Sequence, residues 1–107
     1  MAEIPLELFS VVKSYIDKLR KEIPVDKALL FGSYAKGTYH KDSDVDLAIF
    51  SDFFKGKRRV EATSFLLARV ADYRYDIEPI GYPFEAYKNY QDDPFVREIV
   101  ITGIEIT

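Results

Sequence analysis

Apolar residues recur at three- and four-residue steps from Leu6 through Phe9, Val12 and Ile16 to Leu19, the spacing of one face of an amphipathic helix. Pro5 suits the start of that helix, and Pro24 bounds it at the other end. The run Ala28-Leu29-Leu30-Phe31 is short, apolar and stopped by Gly32, so it reads as a buried strand entering a sharp turn. From Asp44 to Phe50, polar and apolar positions alternate before an apolar run, which predicts a second strand. Tyr73 to Ile80 alternates in the same way and predicts a third. Val60 to Asp72, with Val60, Phe65, Leu66, Ala68 and Val70, has a helical pattern, and Phe84 to Tyr90 and Pro94 to Thr102 are shorter helical segments. Gly103 caps the last of them, and Ile104-Glu105-Ile106 can form a terminal strand. This order predicts an α+β fold of two layers: a small mixed β-sheet with helices mainly on one face. The opposite, motif-bearing face is then expected to stay accessible.

Composition narrows the class. A chain of 107 residues is expected to form one domain spanning 1–107, because domains of about 100–150 residues are the norm. The apolar share of 48% and the charged share of 31% are those of an ordinary globular protein, with aromatic residues somewhat high at 15%. There is no cysteine, which excludes disulfides and thiolate metal sites. No apolar run approaches the ~18 residues needed to span a membrane, and Met1-Ala2-Glu3 does not begin a basic, hydrophobic leader; the expected setting is cytoplasmic. A net charge of −3 argues against nucleic acid as a partner, which normally calls for a basic face. The cluster Lys55-Gly56-Lys57-Arg58-Arg59 is a local exception. It precedes a helix, where positive charge is mildly unfavourable, and is read either as a solvated loop or as a contact for something anionic.

The chemistry concentrates between Gly32 and Asp46. Gly32 lets the backbone bend and approach a ligand closely. Ser33 is placed as the N-cap of a turn over Tyr34-Ala35-Lys36, aiming free N–H groups and a hydroxyl at phosphate, and Gly37 stops that turn. Lys36 is either a point charge on phosphate or an exposed lysine. Asp44 and Asp46, two apart on a strand, share one face. Paired carboxylates repel unless a cation sits between them, and Mg²⁺ binds through one or two carboxylates plus substrate phosphates. The pair suits two metals about 3.5–4 Å apart that clamp an in-line displacement. A P-loop is excluded, because Lys36 precedes Gly37 instead of following it. His40, the only histidine, sits in the motif loop between Tyr39 and Lys41 and is read as exposed and incidental. Tyr73, Tyr75, Tyr82, Tyr87 and Tyr90 can stack a base but more often pack as amphipathic residues, and none is assigned.

Gly32, Ser33, Gly37, Ser43, Asp44, Asp46 and Leu47 together resemble the signature of the DNA polymerase beta-like nucleotidyltransferases: Gly-Ser, a spacer, then Asp-x-Asp on a strand. The small size is similar to that of the minimal nucleotidyltransferase (MNT) branch, often encoded beside a HEPN-domain partner. The resemblance implies a polymerase-beta-like palm fold and an enzyme that takes a nucleoside triphosphate, ATP first, with Mg²⁺ in a two-metal site. It passes the nucleoside monophosphate to an acceptor hydroxyl and releases pyrophosphate. Asp44 and Asp46 are then the metal ligands, and Gly32, Ser33, Lys36 and Ser43 the nucleotide contacts. Family members carry a third carboxylate on a later strand, and Asp76 and Glu78 share the required face. Spacing does not choose between them; the Ile-Glu-Pro run favours Glu78 as third metal ligand and catalytic residue, with Asp76 as the alternative. The acceptor implied is a tyrosine of a HEPN ribonuclease toxin, making the chain an antitoxin. A HEPN partner or a second copy then completes the cleft. The other readings are a non-catalytic binding module of the same fold, and transfer to a small molecule or an RNA end.

Overall fold

The computed structural model describes residues 4–70 and 73–106. Helix α1 spans Leu6–Arg20, strand β1 Lys27–Phe31, and the one-turn helix α2 Ser33–Lys36. Strand β2 runs Val45–Phe50, followed by a 3₁₀ turn at Asp52–Phe54 and helix α3 at Arg59–Leu67. Strand β3 is Ile77–Tyr82, then come α4 at Phe84–Lys88, a 3₁₀ turn at Tyr90–Asp92, α5 at Pro94–Thr102 and β4 at Ile104–Glu105. The sheet order is β3-β2-β1-β4. β2 runs parallel to β3 and antiparallel to β1, and β4 is antiparallel to β1, so the sheet is mixed as expected. Pro79 is tolerated because β3 is an edge strand.

Alternation along β2 sorts the core. Val45, Leu47 and Ile49 join Leu8, Val12, Tyr15, Ile16 and Leu19 of α1 and Ala62 and Leu66 of α3 in the larger cluster. Ala48 and Phe50 turn to the other face and pack with Leu29, Tyr82, and Val96 and Ile99 of α5. The larger core thus lies on one face, yet α4 and α5 add a third layer over part of the other, which a two-layer reading does not contain. The motif-bearing face is therefore covered by helices for part of its length, with Asp44 and Glu78 still exposed at one end.

Two helices differ from expectation in detail. The buried stripe of α1 is Leu8, Val12, Tyr15, Ile16 and Leu19, whereas Leu6 is 82% exposed and Phe9 also faces outward. Apolar residues occupy more than one stripe of this helix, and the sheet selects among them. Helix α3 begins at Arg59 and ends at Leu67; the predicted end at Asp72 lies outside the described residues. It buries Ala62 and Leu66, not Val60, because Gly81 of β3 lets it come close. A Cβ on Gly81 would lie 2.8 Å from that of Ala62 and 3.1 Å from Leu66.

Candidate active site

β1 delivers the chain to Gly32, whose φ of +74° is costly for any residue with a Cβ. Space demands glycine as well: a Cβ built there would fall 2.2 Å from the Asp46 carboxylate oxygen Oδ2. The turn is thereby pressed against the acidic strand. Gly32, not Ser33, is the N-cap of α2. Its carbonyl accepts the Lys36 N–H at 3.1 Å, so Ser33 is already the first helical residue and its side chain is not spent on a cap. Gly37, in the left-handed region at φ +78°, ends the turn, and Thr38 N–H bonds back to the Ser33 carbonyl at 3.0 Å.

Asp44 immediately precedes β2, and Asp46 lies within it. Asp46 has Phe31 as its partner on one side and Glu78 on the other. The Val45 N–H donates to the Asp76 carbonyl at 2.8 Å, extending the parallel pairing by one residue and setting Asp76 beside Asp44. As a result, one carboxylate oxygen each from Asp44, Asp76 and Glu78 lie within 4.8 Å of one another, all three side chains being exposed. The structure therefore brings together both residues between which spacing could not choose. Asp46 is half-buried between this trio and Gly32.

The electrostatics are those of crowded acids. A hydrogen bond with Asp76, then partial desolvation and the Asp76 charge, raise the Asp44 carboxyl above its ordinary range. Asp46 is raised by burial first and by Asp44 second. Glu78 is raised by desolvation, then by the charges of Asp76, Asp44 and Asp46. Like charges gathered this closely favour either a shared proton or a cation. The donor set is carboxylate oxygen throughout, the hard ligand type that Mg²⁺ takes, so these residues fit a divalent metal.

Beside the trio, Lys41, Asp42, Ser43, Arg74, Tyr75 and Asp76 line an open cleft of about 380 Å³. The Ser43 hydroxyl accepts the His40 N–H at 2.8 Å, and His40 Nδ1 accepts the Asp42 N–H at 3.3 Å, so both side chains shape the loop. Lys36 is exposed and pairs with Glu98 of α5 at 3.4 Å. The basic run lies elsewhere. Arg59 stacks over the Tyr82 ring at 4.2 Å, and Tyr82 is four residues along β3 from Glu78, or about 13 Å. Arg58 pairs with Glu61, and Lys57 lies over the Phe53 ring. Arg74 and Lys41, on the cleft wall, carried no sequence signal that separated them from other surface cations.

The profile of the nucleotidyltransferase domain family matches residues 12–103, most of the chain and all of the site just described. The chain belongs to that family. It is similar to a protein of Methanocaldococcus jannaschii provisionally named a protein adenylyltransferase, at 28% identity over 94% of this chain and all of that one. Its fold is similar to the crystal structure of a protein from Sulfolobus solfataricus provisionally described as a nucleotidyltransferase. The TM-score is 0.65 and the identity 18%, over 78% of this chain and 74% of the other. The chain is thus a nucleotidyltransferase enzyme built on a mixed four-stranded sheet. Among the described residues, no helix of this nucleotidyltransferase is long and apolar enough to cross a membrane.

Proposed function

We propose that this nucleotidyltransferase moves AMP from ATP to a hydroxyl of a partner protein, with Mg²⁺ held by Asp44, Asp46 and Glu78, and with Asp76 beside them. The observation that carries the reading is the convergence of Asp44, Asp76 and Glu78 within 4.8 Å beside a glycine turn that abuts Asp46. When bound, the metal neutralises the polyphosphate and the charge that develops in transfer. The chain's own part is positioning. Gly32 and Ser33 hold the β- and γ-phosphates through N–H groups at the start of α2, Lys36 adds a point charge, and Ser43 steadies the neighbouring loop. Glu78 or Asp76 accepts the proton of the acceptor hydroxyl as its oxygen bonds to the α-phosphorus. The bond from that phosphorus to the bridging oxygen breaks, and pyrophosphate departs.

The full-length relative named a protein adenylyltransferase supports both AMP and a protein acceptor. Within this reading residues 1–107 are one nucleotidyltransferase domain working in the cytoplasm, with a second chain supplying the missing cleft wall. The acceptor we favour is a tyrosine hydroxyl of a HEPN ribonuclease toxin, silenced by the AMP. Incubating the protein with ATP, Mg²⁺ and the product of the adjacent gene, then measuring intact masses, tests this. An AMP-sized gain on the partner that vanishes with chelator supports it. No gain, together with undiminished neutralisation by an Asp44→Asn/Asp46→Asn double variant, would establish a non-catalytic binder instead.

A further inference from the structure

We propose that Phe95, with Phe31, forms the platform on which the base of the nucleoside triphosphate stacks; this rests on the nucleotidyl-transfer reading above. Phe31 is the antiparallel partner of Asp46, and directly opposed residues share a face with Cβ atoms about 4.5–5.5 Å apart. Its ring therefore lies beside Asp46 on the side away from Glu78, which is Asp46's partner on the other strand. Phe95, in the first turn of α5, meets Phe31 edge-on, with ring centroids 6.0 Å apart and planes at 89°. Nearly half of Phe95, 48%, is open to solvent, more than Phe9 or Phe53. One helical turn further, Glu98 reaches Lys36 of α2. The same side of α5 thus leans on the aromatic pair and on the Gly32–Gly37 turn.

The occupant follows from the line of the reaction. Pyrophosphate departs toward the Gly32–Ser33 turn. The acceptor hydroxyl enters at the β3 edge, where Asp76 and Glu78 can take its proton and where Arg74 and Tyr75 open the cleft. The base is joined through the ribose to the same α-phosphorus that releases pyrophosphate, so it lies within a nucleotide's length of the Gly32–Ser33 turn, and the exposed aromatic face that borders this turn is Phe31 with Phe95. Stacking of this kind tolerates any base but favours the larger purine surface.

Calorimetry with Mg²⁺ plus ATP and with Mg²⁺ plus tripolyphosphate separates the base from the phosphates. In Phe95→Ala, ATP affinity is expected to fall about tenfold, the order of one base–aromatic stack, while tripolyphosphate affinity is unchanged. The chain has no tryptophan, so Phe95→Trp places a sole indole on the platform. Its emission should be quenched by ATP and not by tripolyphosphate. An unchanged ratio of the two affinities in Phe95→Ala, or no quenching in a Phe95→Trp protein that binds ATP by calorimetry, overturns the platform and leaves nucleotidyl transfer standing. A raised KM for the acceptor with unaltered ATP affinity assigns the surface to the acceptor and overturns it too. Failure of the unmodified protein to bind either polyphosphate in Mg²⁺ overturns both.

Discussion

Gly32 does two things that no other residue can do together: it takes a positive φ, and it leaves room for Asp46. Replacing it with alanine adds a Cβ where a carboxylate oxygen stands and strains the backbone as well. Gly32→Ala should therefore cost about 1–3 kcal/mol in denaturant melts and reduce transfer further by displacing Asp46. The acids predict an opposite sign. Asp44, Asp46 and Glu78 are all held above their ordinary pKa, by partial burial, by hydrogen bonding to Asp76 at Asp44, and by one another. Without metal their ionised forms therefore oppose folding at neutral pH. Asp44→Asn should lower transfer by about 100-fold or more, the scale set by removing one group that stabilises transition-state charge. The same variant should melt at a higher temperature than the unmodified protein in chelator, as expected where function is held at the expense of stability. If it melts lower, the repulsion is not what shapes this cluster. At this scale the sequence was most readable, because Asp44, just before β2, and Asp46, within it, are two apart in extended chain and its parity is local.

The elements depend on close approach of α1 and α3 to the sheet. Gly81 meets Ala62, Phe54 and Leu66 at 2.8–3.1 Å from where a Cβ would sit, so Gly81→Ala should force α3 outward and cost about 1–3 kcal/mol in thermal or denaturant unfolding. Tyr15 ties the two helices together: its hydroxyl, in the buried core, donates to the Leu66 carbonyl at 2.8 Å. Tyr15→Phe should lose about 1 kcal/mol. Beyond the helix ends, Arg69 grips Glu22 through two hydrogen bonds, at 2.8 and 3.0 Å, and the Arg69 hydrogen bond lowers the Glu22 pKa. A carboxyl held more acidic in the folded state contributes stability above its unfolded pKa and loses it as pH falls through the lowered value. Arg69→Ala should therefore shrink the gap in melting temperature between neutral and mildly acidic buffer, by a small amount because the pair is exposed. Helix positions were legible from period, but which stripe faced inward was not. Leu6 and Phe9 fit the periodicity as well as Leu8 and Tyr15 do, and only contact with the sheet separates them.

For the whole molecule, the nucleotide site proposed above draws on β1, α2, β2 and β3, so its occupation should be coupled to folding. Mg²⁺ with ATP at about 100 times its dissociation constant should stabilise the chain by about 2.7 kcal/mol. The Asp44→Asn/Asp46→Asn variant should show little of that gain in a thermal-shift titration. A gain of equal size in the variant would place the nucleotide elsewhere.

The Gly32-Ser33 turn, the second glycine and the Asp44–Asp46 pair could be read from the chain alone, because each depends on residues within a few positions of one another. Whether Asp76 or Glu78 joins them could not, since both have the right parity, and the answer lies in a parallel register between strands about thirty residues apart. That register pairs Glu78 with Asp46 and carries Asp76 to Asp44, so both arrive. The placement of α5 is equally non-local. Its own sequence marks a capped helix behind Asp93-Pro94, but only packing on the sheet sets Phe95 against Phe31 and Glu98 against Lys36. Local chemistry is written in short-range spacing. The closing of a site is decided by which distant strands pair, a choice made by burying the whole apolar surface at once.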